Sequence, residues 1–95
     1  MKKITAIIII GRKWFDKVNG NTYHSASVNV LFTDGSDKDF TVPFQYGYGD
    51  QYQYSAWKAL KKANFVSGSI PYQYCKDNKI KLITNVSDVS RKKDL

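Results

Sequence analysis

Ninety-five residues, 42% hydrophobic and 24% charged, suffice for one folded domain with a single core and exclude both a disordered chain and a two-core protein. Fifteen Lys and Arg against eight acids, every one an Asp, leave a net charge of +7, interleaved with seven Tyr, five Phe and two Trp. The lone cysteine, Cys75, excludes an intramolecular disulfide and with it a secreted disulfide scaffold.

The chain opens with Lys2-Lys3 and the apolar run Ile4 to Ile10. The run is too short for a secretion signal followed as it is by Gly11-Arg12-Lys13, and far below the ~20 residues of a membrane span. A cytoplasmic protein with no membrane partner is expected. Apolar on both sides and β-branched, the run reads as a central strand covered on both faces, with a bulge at Gly11.

Asn19-Gly20 is a strong hairpin signal. A two-residue turn there would set Phe15 opposite His24 and Asp16 opposite Tyr23, in a long projecting hairpin. The second strand alternates, with Ala26, Val28, Val30 and Phe32 on its buried face. After a turn at Thr33 to Asp37, the third strand places Phe40, Val42, Phe44 and Tyr46 inward, and Pro43 marks it as a sheet edge.

Gly47-Tyr48-Gly49 leads to a helix capped by Asp50 and running to about Asn64. Tyr52, Ala56, Ala59, Leu60 and Ala63 form its apolar stripe, with Lys58, Lys61 and Lys62 opposite. Ile70 to Cys75 reads as a short extended piece, and Ile80 to Thr84 as a plausible fourth strand, parallel to the first through a right-handed crossover. The expected architecture is α+β: an antiparallel three-stranded sheet on one helix, β-β-β-α, with that fourth strand optional and the order then 4-1-2-3. Residues 1–84 form the domain and 85–95 a frayed basic tail.

Three segments in this chain, Gly11-Arg12-Lys13-Trp14-Phe15, Gly20-Asn21-Thr22-Tyr23-His24-Ser25 and Phe44 to Tyr52, resemble a family of small uncharacterised phage and prophage proteins. The resemblance spans the first two-thirds of the chain and implies an origin in phage, in a host cytoplasm, without an activity. Small phage proteins are often non-enzymatic binders of nucleic acid or host machinery.

Catalytic equipment is not in view. His24 would need Cys75 or Ser25 beside it and a third group to orient it. One His and one Cys fall short of zinc's ligand set. Asp34, Asp37 and Asp39 lack the glycine and glutamate positions of a calcium loop, and Gly47-Tyr48-Gly49 lacks the third glycine of a dinucleotide fingerprint. No enzyme, cofactor or metal is expected.

The chemistry that remains is cations among rings. Arg12, Lys13 and Lys17 accompany Trp14, Phe15 and Tyr23 on the hairpin; Lys58, Lys61 and Lys62 accompany Trp57 on the helix; a third basic group follows Tyr72 and Tyr74. Cations meet phosphates and flat rings meet exposed bases. The expected interface therefore comprises Arg12, Lys13, Trp14, Lys17, Tyr23, Lys58, Lys61 and Lys62, binding nucleic acid through the hairpin. The alternative is a protein-binding inhibitor of host machinery, such as an anti-CRISPR or anti-restriction factor, engaging a host protein or ribonucleoprotein; a homodimer through an open strand edge is a further option.

Overall fold

A computed structural model describes residues 3–47, 49 and 51–95. Four strands, β1 (Ile4–Asp16), β2 (Asn21–Phe32), β3 (Asp37–Tyr46) and β4 (Lys81–Val89), form one sheet in the order β3-β2-β1-β4. The sheet is mixed: β1 is antiparallel to β2 and parallel to β4. Two helices, α1 (Gln51–Lys62) and α2 (Pro71–Asp77), make the crossover between β3 and β4. The optional fourth strand is present, in the expected order and parallel to β1; the expectation of an antiparallel three-stranded sheet on one helix is corrected to a mixed four-stranded sheet with two helices. The segment read as extended is α2, which Pro71 can start because the first turn of a helix needs no N–H there. The capping role expected of Asp50 lies outside the described residues.

Both helices lie on one side of the sheet, here called the helix face; the other side is the open face. Ile7, Ile9, Ala26, Val28, Val30 and Val42 point to the helix face and are buried against Tyr52, Ala56, Trp57 and Leu60 of α1 and Cys75 of α2. β1 is therefore central by hydrogen bonding but covered only once. Ile10, on the open face, is 38% exposed. Residues 85–89, expected as tail, continue β4 as far as the pairing of Val89 with Trp14.

The bulge expected at Gly11 is instead between Ile4 and Ala6. Gly11 pairs regularly with Ala26, and its lack of a side chain answers a different need. The ring of Tyr52 lies on it, so that an added Cβ would stand 2.5 Å from Tyr52 Cδ2. The register of the β1–β2 hairpin also differs from expectation: Asp16 pairs with Asn21, Phe15 with Thr22 and Trp14 with Tyr23, leaving Lys17 to Gly20 as a four-residue loop. The Asp16 carboxylate accepts from Val18 N, Asn19 N and Asn19 Nδ2, and Gly20 N donates to Asp16 O at 2.7 Å. A side chain that satisfies three loop donors selects the longer loop over a two-residue Asn-Gly turn.

His24 shares the helix face with Lys13 and is fully buried. The Gly47 carbonyl can only accept, so Nδ1–H donates to it (3.2 Å), leaving Nε2 to accept from the Ser55 hydroxyl (2.8 Å). The ring thereby ties β2 to both the β3–α1 connection and the first half of α1. An added Cβ at Gly47 would meet His24 Cε1 at 2.8 Å, which accounts for that glycine without any phosphate. α1 ends with Asn64 in the left-handed region (φ 66°) and Phe65 N donating to Leu60 O, the pattern of a left-handed helix stop.

Gly11→Ala should lower stability by about 1–3 kcal/mol, as overpacking does in a dense core. Thermal unfolding should show the loss shrinking when Tyr52 is first cut back to Ala; an equal loss in both backgrounds would show that the ring is not the cause.

Candidate nucleic-acid interface

One extra residue in β3 builds the site. Ala26 pairs with Val42 and His24 with Gln45, so Ser25 alone faces both Pro43 and Phe44. This bulge shifts the alternation, and Phe44 and Tyr46, expected inward, stand on the open face instead, 40% and 60% exposed. Pro43 has no N–H to give to a ladder, which makes an edge strand at that residue the natural place for the irregularity.

On that face Trp14, Tyr23 and Phe44 form a row. Trp14 and Tyr23 are direct cross-strand partners with ring centroids 5.9 Å apart at 26°. Tyr23 and Phe44 stack at 4.7 Å and 18°. Tyr46 closes the group edge-on to Tyr23, at 5.7 Å and 85°. Such pairs contribute about 0.5–1.5 kcal/mol each beyond the area they bury.

Two cations border the rings. Arg12 precedes Trp14 on the same face of β1 and donates through Nη2 to Ser27 Oγ at 3.3 Å. Lys92, in the short 3-10 turn Lys92–Asp94 after β4, holds Nζ 5.0 Å from the centroid of Phe44. Beneath the rings Ser25 is buried, its hydroxyl without a hydrogen-bond partner among the described residues. Two acids of the open face stand at the far end of the sheet, where Asn29 Nδ2 donates to both Asp37 (2.8 Å) and Asp39 (2.6 Å); a third, Asp16, shares the side of β1 that carries Arg12 and Trp14 and interacts with Lys92, its carboxylate accepting from the hairpin loop. Asp34 accepts from the N–H of Ser36 in its own turn. Among the described residues no cluster of His, Cys and acids could hold a metal ion.

The expected interface residues divide accordingly. Arg12, Trp14 and Tyr23 come together on the open face, and Lys17 is exposed in the hairpin loop that extends from it. Lys13 faces the helix side, between His24 on β2 and Asp88 on β4. Lys58, Lys61 and Lys62 are exposed on α1, in the layer on the opposite side of the sheet. Trp57, grouped with them in sequence, is core: Nε1 donates to Gly68 O at 3.2 Å, and the ring meets Tyr74 edge-on. Phe44, Tyr46 and Lys92 are the members that sequence alone missed. Pro43 was the available signal for the first two; nothing local marked Lys92.

His24 contacts neither Ser25 nor Cys75 in the way a nucleophilic site would require; its hydroxyl partner, Ser55, is buried with it inside the core. Cys75 is likewise buried, and desolvation pushes its thiol above the usual range. No helix among the described residues is long and apolar enough to cross a membrane. No protein-family model matches the chain, and comparison with curated proteins and with solved structures finds no match.

The hairpin loop that carries Lys17 is held by Asp16, whose carboxyl lies below its ordinary range, first through the Asn19 side-chain hydrogen bond and further through backbone N–H groups and Lys92. A lowered folded pKa contributes stability above the unfolded value of about 3.9 that is lost as pH falls through the folded value. Proton NMR should therefore show the Val18 and Asn19 amides titrating together with a midpoint below that of an unstructured Asp peptide. A midpoint at or above the peptide value would contradict the loop geometry.

Proposed function

We propose that this chain is a small, non-catalytic, phage-type accessory protein that binds nucleic acid through the open face of its first hairpin. The observation that carries the reading is the ring group Trp14, Tyr23, Phe44 and Tyr46 bordered by Arg12 and Lys92, on a sheet face that neither helix covers. Phosphates supply the counter-charge for the cations, and bases supply flat partners for the rings. The strands position the four rings and Arg12, and the net charge of +7 favours encounter with a polyanion.

A second reading, a protein-binding inhibitor of host defence, draws on the hairpin tip. Phe15 and Val18 are 54% and 92% exposed there, apolar surface with no role in phosphate contact. On that reading, a host partner survives nuclease treatment in a pull-down and is lost with Phe15→Ala and Val18→Ala.

On the nucleic-acid reading, log affinity falls linearly with log salt, by roughly 0.9 for each phosphate neutralised on duplex and about 0.7 on single strands. Replacing Arg12, Lys13 and Lys17 together with Ala should weaken binding and flatten that slope by about one to two contacts' worth, since Lys13 leaves from the other face. No binding to any oligonucleotide at ~50 mM salt would overturn the reading.

A further inference from the structure

The ring group also selects the state of the nucleic acid, an inference that rests on the reading above. Tyr23 is sandwiched between Trp14 and Phe44, so both its faces are taken. Phe44 carries Tyr23 on one face and the Lys92 ammonium over the ring. Tyr46 meets Tyr23 only edge-on and is the most exposed ring of the four. Ring surface is thus on offer at Tyr46, and at Phe44 wherever the flexible Lys92 side chain moves aside.

A paired duplex keeps its base faces stacked inside and shows a protein only base edges and phosphates. Unpaired bases show their faces, and base–aromatic stacking contributes about 1–3 kcal/mol per base. We infer that Tyr46 and Phe44 form a stacking platform for unpaired bases of a single-stranded nucleic acid, with Arg12 and Lys92 taking the flanking phosphates. Charge complementarity distinguishes this occupant from an apolar peptide: Lys92 exchanges a ring face for a phosphate as a base takes its place. Of the open-face acids, Asp37 and Asp39 lie at the opposite end, turned to Asn29; Asp16 lies at the ring end near Lys92, but its carboxylate is engaged by the Val18 and Asn19 donors of the hairpin loop. The groups of the platform are rings and cations, which read base and phosphate, not sugar, so single-stranded DNA and RNA should serve alike.

The test is fluorescence anisotropy on the full chain with labelled oligo(dT), oligo(U) and a duplex of equal length, each of about ten nucleotides, the scale of a single-stranded site. The expected result is dT and U affinities within a few-fold of each other and duplex affinity at least about tenfold weaker. Phe44→Ala with Tyr46→Ala should lose at least about 10–100-fold on the single strands, since one lost stacking contact is of that size and both platform rings are removed. Because Phe44 also braces Tyr23, Tyr46→Ala alone serves as the variant that leaves the row intact, and Tyr46→Phe should retain binding. Duplex binding as tight as single-strand binding, with both Tyr46 variants unchanged but the Arg12, Lys13 and Lys17 triple variant impaired, would overturn the platform and leave nucleic-acid binding standing. Absence of binding to all three probes would overturn both.

Discussion

In β3, Pro43 and Phe44 share one partner on β2, Ser25, and everything distinctive about the surface follows from that extra residue. Up to Val42 the strand obeys simple alternation, with Phe40 and Val42 turned toward the helices. Past the bulge the parity is reversed. Two rings that would have enlarged the core join Trp14 and Tyr23 on the uncovered side, and Gln45 takes the helix face beside His24. An edge strand tolerates this because only one of its sides carries a ladder. The reversal leaves a smaller core at the hairpin end and a larger display of rings.

The helices are kept to the other side by contacts that admit little adjustment. Tyr52 lies flat on the bare backbone of Gly11, and His24 spends both ring nitrogens on Gly47 and Ser55. Interior polar groups are costly to leave unpaired, so the His24 bonds fix the start of α1 relative to β2 as much as the apolar packing does. With α1 placed over β1 and β2, and α2 beside β4, neither of these helices covers the open face, which among the described residues is reached by the short 3-10 turn after β4 through Lys92 over Phe44. The long hairpin then accounts for the molecule's elongated shape, 49 × 23 × 20 Å.

Much of this could be read from residue patterns, and the failures share one cause. Alternation of Ala26, Val28, Val30 and Phe32, the helical stripe through Tyr52, Ala56 and Leu60, and the parallel return of β4 beside β1 all follow from period and turn chemistry, which are local. The misread features are those in which a distant side chain decides. Gly11 looked like a bulge because the ring that requires it is Tyr52, well along the chain. Asn19-Gly20 looked like a two-residue turn because the competing hydrogen bonds come from Asp16. Trp57 looked like a partner for the helix lysines because its acceptor is Gly68, past the helix end. The grouping of Arg12, Trp14 and Tyr23 on one face was legible from composition; the separation of Lys13 and the helix lysines from them depends on which face each residue takes, and so on register.

The open face is built on the parity of β3 after Pro43, and through-space proton NMR tests that parity most directly. The ring protons of Phe44 should show cross-peaks to those of Tyr23 and to the side chain of Lys92, with none to Ala56 or Leu60 of α1. Cross-peaks from Phe44 to α1 in place of Tyr23 would mean an unbroken strand with its rings in the core, and the open face would lose the surface on which the functional reading is built.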